Sequence, residues 1–208
     1  MICLFSIIDS FAQEDSNYKS GKNQEKFGDF ILKYQKSWSF LEKIDPVTLF
    51  YDAKNELKKK DYLNCLMDGI YRDVNDVFEK QIDNSIIADL RSNKVKDEQI
   101  NRYIKHHKFS NLLYQIRNKI SHELSDNSHS FLSDSPWHTV PYYTEVSNFR
   151  TNNHYLSLII PISFMRDLVN ECCGNYLNDC LTKKIMPFGN DTDARKSKLC
   201  WYDNNYKS

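Results

Sequence analysis

Arg117, Asn118 and His122 stand within the stretch FSNLLYQIRNKISHEL at 109–124 and are the side chains of this chain best suited to chemistry on RNA. An arginine presents a planar fork of donors that clamps a phosphate. A histidine moves a proton near neutral pH. An asparagine beside the arginine can orient a ribose, a phosphate or the imidazole itself.

The spacing fits an amphipathic helix. With about 100° per residue and Ile116 at zero, Phe109, Leu112, Leu113, Ile120 and Leu124 fall between about −40° and +80°, a buried stripe. Arg117 sits on its shoulder at about 100°, and Asn118 and His122 lie at about 200° and 240°. Asn118 and His122 are i and i+4 neighbours. Arg117 and His122 diverge by about 140°, so a second copy of the helix across a two-fold axis is needed to bring them to one cleft. Tyr114 and Ser121, at about 160° and 140°, are candidates to line that cleft as RNA contacts, or equally face solvent. Because Arg117, Asn118 and His122 lie off the stripe, they are expected to be dispensable for folding.

Arg102 and His107 in RYIKHHK repeat the Arg-x4-His spacing and serve as an internal decoy. Context separates the pairs. Arg117 is followed by Asn118 inside a strongly periodic helix, whereas Arg102 is followed by Tyr103 in a charged lead-in. The competing reading of 117–122 is a solvated helix face with an ordinary histidine.

The segment LLYQIRNKISHEL resembles the signature helix of the HEPN superfamily, which carries R-x4-6-H, commonly with Asn, Asp or His directly after the arginine. Arg117, Asn118 and His122 match that pattern one for one. The opening IIDSFAQ and the later NQEKFGDFILKY also resemble the first two helices of a group of bacterial HEPN-like proteins. The likeness covers about 105–185, is fainter over 1–44 and is absent over 45–104. It implies a mainly α, HEPN-like helical bundle with a small β-hairpin inserted between the motif helix and the last long helix. It further implies a metal-independent endoribonuclease of toxin–antitoxin, abortive-infection or defence type, with Arg117, Asn118 and His122 as catalytic residues and RNA as substrate. No cofactor or metal is implied. A homodimer through 109–124 and an antitoxin or defence-system partner are. The H-x-Y extension of toxins paired with nucleotidyltransferase antitoxins is missing, since Glu123 and Leu124 follow His122. Some relatives serve instead as non-catalytic dimerisation or binding modules. Neutral charge and the aromatic run Trp137, His138, Tyr142 and Tyr143 favour that alternative here.

At 208 residues the chain reads as one domain over 1–186 with a polar tail over 187–208, in which Trp201 and Tyr202 are expected to pin the chain back. Its 28 basic and 28 acidic residues cancel, which argues against a protein that wraps duplex DNA. Basic clusters at 58–60, 105–108 and 183–184 read as solvated helix ends rather than an RNA path. The start MICLFSII lacks a basic region and a cleavage site, so it reads as a buried first helix of a cytoplasmic protein, with no membrane span. Among six cysteines none is in C-x-x-C spacing; Cys172 and Cys180 read as reduced core thiols. The adjacent His106–His107 and Cys172–Cys173 splay apart on a helix and make poor metal sites.

Helices are expected at 2–15, 24–43, 46–60, 61–80 and 162–184, with shorter ones at 84–91 and 97–105. Asp45 followed by Pro46 predicts a helix start. Leu63, Leu66, Met67, Ile70, Val74, Val77 and Phe78 make 61–80 the most regular helical pattern. A loop is expected over 125–138. TVPYYTEV at 139–146 and HYLSLIIP at 154–161 predict the hairpin.

Overall fold

Fourteen residues of the motif region form one helix, α8 (Phe109–His122), and the rest of the fold is arranged around it. The computed structural model describes residues 2–15, 23–67, 71–122, 130–134, 137–148, 153–185 and 187; over 119–122 it describes the helical backbone and not the side chains. Phe109, Leu112, Leu113 and Ile116 are all buried, as the stripe requires. Helices α1 (Ile2–Glu14) and α2 (Asn23–Tyr34) pack on α8 and on each other, and α9 (Ile162–Thr182) packs on α1 and α2. Phe5, Ile8, Phe27, Phe30, Phe109, Phe164 and Leu168, each almost fully excluded from water, form the centre of this layer.

The middle of the chain departs from the expected long helices. α2 stops at Tyr34 because Glu171 of α9 takes over as acceptor: its Oε1 receives the backbone N–H of Lys36 (2.8 Å) and Ser37 (3.1 Å). A short 3₁₀ turn, η1 (Ser39–Glu42), follows. The start of α3 (Pro46–Ala53) matches expectation, with the Asp45 carboxylate accepting from Thr48 N at 2.9 Å and Pro46 at N1. Its end at Ala53 rather than near 60 again reflects a distant acceptor, Asp89, whose Oδ2 receives the N–H of Lys58 (3.1 Å) and Lys59 (3.3 Å).

The single helix expected over 61–80 is replaced by α4 (Asn64–Met67), strand β1 (Tyr71–Asp73) and α5 (Val74–Glu79). Asp73 caps α5 by accepting from Asn75 N at 2.7 Å, a new start where a continuous helix was expected. α6 (Ile82–Ser92) and α7 (Asp97–His106) coincide with the expected short helices.

The expected hairpin is present as β3 (Tyr142–Asn148) and β4 (Asn153–Pro161), antiparallel with Tyr142 opposite Ile159. It is the centre of a larger sheet, order β1-β3-β4-β2, in which β2 (Ser130–Ser133) lies parallel to β4 inside the region expected to be loop. The fold is thus mainly helical with a small sheet, of which β2, β3 and β4 come between the motif helix and the last helix and the edge strand β1 comes from before the motif helix. The expected roles of Trp201 and Tyr202 fall outside the described residues. No described helix is long and apolar enough to cross a membrane.

Candidate functional site

Arg117 leaves the buried stripe of α8 on the side facing α1. Its Nη2 donates to Asp9 Oδ2 at 2.9 Å and its Nη1 to Asn118 Oδ1 at 2.9 Å. The two charged side chains are each about one-fifth exposed, 21% for Arg117 and 20% for Asp9. Arg117 Nε and Asp9 Oδ1 are buried without a hydrogen-bond partner among the described residues, and the pair is joined end-on by one bond rather than by a two-bond fork. The guanidinium carbon lies 5.7 Å from the centre of the Tyr114 ring, and that ring packs on Phe27 at 5.4 Å.

Arg117 and Asn118 are therefore brought together, and Tyr114 joins them as a half-buried packing surface under the guanidinium. The helical backbone continues through positions 121 and 122, and the side chains of Ser121 and His122 lie outside the described residues. Arg117 is expected from the helical wheel to be dispensable for folding; the structure places it about one-fifth exposed and tied to Asp9 of another helix, which makes it part of the packing. Nothing in the sequence near Arg117 announces Asp9, which lies 108 positions away.

The decoy pair separates cleanly. His107 is 4% exposed and sits where α7 turns into α8. Its Nε2 lies 3.0 Å from Asp52 Oδ2 and its Nδ1 3.1 Å from Thr48 Oγ1. A carboxylate only accepts, so Nε2 carries the proton and Nδ1 accepts from the threonine hydroxyl. Burial pushes the His107 pKa below its ordinary value, against the opposing pull of Asp52. Its backbone carbonyl receives Asp45 N at 2.8 Å. Asp45, fully buried, also accepts from the Tyr143 hydroxyl. His107 is thus a structural histidine, and replacing it is no neutral control for activity. Arg102, by contrast, is exposed.

The described cysteines 172, 173 and 180 are free thiols. Burial raises the Cys173 thiol to about 11 and that of Cys172 further, so neither is a thiolate nucleophile near neutral pH. Among the described residues no group of three or more His, Cys, Asp or Glu side chains is arranged to hold a metal ion. Compared with protein-family models, curated proteins and solved structures, the chain matches none.

Proposed function

We propose that this chain is a metal-independent endoribonuclease of the HEPN type that works as a homodimer through α8, as an effector of a toxin–antitoxin or defence system. The observation that carries the reading is the Arg117 guanidinium. It is oriented by Asp9 and Asn118, remains partly open to solvent, and belongs to a helix that runs on through position 122. A cation held in place before the substrate arrives stabilises developing charge without reorganising.

In this mechanism the RNA 2′-oxygen attacks the adjacent phosphorus, forming the P–O2′ bond as the P–O5′ bond breaks. Imidazoles of His122 take the 2′ proton and deliver one to the leaving 5′ oxygen. Arg117 faces the phosphoryl oxygens, and Asn118 orients the ribose or the imidazole. The nucleophile belongs to the substrate and is already in position. Two copies of α8 are needed because positions 117 and 122 diverge by about 140° on one helix.

A second reading, a non-catalytic dimerisation or binding module, is favoured by the Asp9 carboxylate, which neutralises Arg117 and makes it a tie between helices. The deciding experiment incubates the purified protein with total RNA in EDTA, beside His122→Ala, and identifies the ends. The nuclease leaves 2′,3′-cyclic or 3′-phosphate and 5′-hydroxyl ends and spares DNA, which has no 2′-hydroxyl. His122→Ala and Arg117→Ala each slow it at least about a hundredfold. Cleavage that needs a divalent ion or survives His122→Ala rules this mechanism out. Sedimentation as a monomer alone, at tens of micromolar or so, removes the shared cleft.

A further inference from the structure

Two adjoining clefts open along α7, and both are lined by Arg102 and Lys105. The first, toward α2 and α8, adds Glu25, His106 and Asn111; the second, toward the start of α7, adds Lys96 and the acidic Glu98. Arg102, Lys105, His106 and Lys96 are all exposed. Arg102 makes no ion pair and no side-chain hydrogen bond among the described residues, so its full fork is available. Two carboxylates compete with a phosphate: Glu25, which pairs with Lys105 at 2.8 Å in the first cleft, and Glu98, which lines the second.

The clefts are joined to the motif helix by its own side chains. Asn111 Nδ2 donates to the Lys105 carbonyl at 2.6 Å, and Gln115 Nε2 donates to the His106 carbonyl at 2.9 Å. These bonds seat the basic end of α7 on one face of α8. On the helical wheel Asn111, Gln115 and Asn118 lie at about 220°, 260° and 200°, a single polar row about 10 Å long. Position 122 comes one turn later in the same row. Arg117 projects from the other side, toward α1.

We propose that the cleft shared by Arg102 and Lys105 binds the phosphate backbone of a single RNA strand and directs it past the end of α7, which Asn111 and Gln115 seat, toward the Asn118 end of α8. The choice of RNA rests on the proposed nuclease function; the cation pair and the row stand on geometry. Phosphate contacts of this kind set register and affinity rather than sequence preference. A phosphate entering the cleft displaces Glu25 from Lys105, so Glu25 sets the threshold for binding. The decoy motif is thereby divided: His107 holds the fold, and Arg102 meets the substrate.

The test is fluorescence anisotropy of a labelled 12-nucleotide single-stranded RNA, with all proteins carrying His122→Ala and EDTA present. Replacing Arg102 and Lys105 together by Ala should weaken binding at least about tenfold and flatten the slope of log Kd against log salt by about 1 to 1.5, as expected for two phosphate contacts. Replacing Lys58 and Lys59 by Ala, which removes the same charge from an exposed site elsewhere, should change Kd less than about twofold. Glu25→Gln should tighten binding about two- to fivefold, the scale of an exposed ion pair. Equal losses from the two double variants, no loss from the Arg102 and Lys105 variant, or no binding by the parent overturns the proposal. The two readings fail separately. RNA bound through Arg102 and Lys105 but not cut by the His122-containing protein removes the nuclease and leaves the cleft. RNA cut with KM and Kd insensitive to Arg102 and Lys105 removes the cleft and leaves the nuclease.

Discussion

Asp9 and Arg117, 108 positions apart, tie the first helix to the motif helix through one 2.9 Å bond between Oδ2 and Nη2. Each leaves a buried polar atom without a partner among the described residues. Removing either member strands the other in a half-buried site, where the loss exceeds that of an exposed pair. Arg117→Ala and Asp9→Ala should each lower stability by about 1–3 kcal/mol in urea melts. The double variant should lose less than the sum, with a coupling of at least about 0.5 kcal/mol. Additive losses would mean that the pair does not act as a unit.

Gly28 lies in the interior of α2, where glycine costs about 1 kcal/mol relative to alanine on propensity alone. A Cβ there would come 2.5 Å from Asn111 Oδ1. Asn111 has little freedom to retreat, because its amide is bonded to the Lys105 carbonyl at 2.6 Å. Gly28→Ala should therefore destabilise, by about 1–2 kcal/mol net, despite the gain in propensity. In the RNA-binding assay it should also weaken Kd, since it disturbs the seat of α7. A stabilised Gly28→Ala protein would show that α2 and α8 separate freely at this crossing.

The buried imidazole of His107 gives stability a defined dependence on pH. Burial lowers its folded pKa below the ordinary value near 6.5. The unfolded chain then binds more protons than the native chain across the window from about 6.5 down to the lowered value. Stability is full above that window and falls as pH drops through it. The groups facing the ring are Asp52, Asp45, His106 and the Thr48 hydroxyl; the carboxylates moderate the loss without reversing it. Urea midpoints measured from pH 7.5 to 5 should decline. His107→Gln should start lower at pH 7.5, by about 1–3 kcal/mol, and decline less. An unchanged slope in His107→Gln would assign the acid sensitivity to other groups.

Features carried by local pattern were legible in the sequence. The α8 stripe, the Asp45–Pro46 start, the short helices α6 and α7 and the pairing of β3 with β4 follow from periodicity, capping and turn chemistry. Features set by distant partners were not. The spacing of Leu63, Leu66, Val74, Val77 and Phe78 suits a helix, and all are indeed buried, yet residues 71–73 pair with Tyr142–Thr144 instead. Gly69 was the one breaker signal inside that run. The ends of α2 and α3 were hidden for the same reason: Glu171 and Asp89 supply acceptors from elsewhere in the chain. At the candidate site, the place of Arg117 beside the buried stripe of α8 was legible from spacing, whereas its tie to Asp9, and the burial of His107 by Thr48 and Asp52, depend on contacts no local pattern encodes.

Substitutions that separate charge from shape distinguish an Arg117 that ties helices from one that acts on RNA. Arg117→Lys retains the cation and can still pair with Asp9, but loses the planar fork that reaches Asp9 and Asn118 together. It should fold within about 1 kcal/mol of the parent while losing at least about tenfold in RNA cleavage, in kcat rather than KM. Asp9→Asn keeps the shape of the partner and removes its negative charge. If Asp9 does no more than neutralise Arg117, freeing the guanidinium should retain or raise the cleavage rate at saturating RNA even as the melting point falls. If Asp9 instead orients the guanidinium, kcat should fall in Asp9→Asn as in Arg117→Lys, with KM unchanged. A protein in which both variants track stability alone, with cleavage per folded molecule equal to the parent, would make Arg117 a packing residue and remove it from the proposed mechanism.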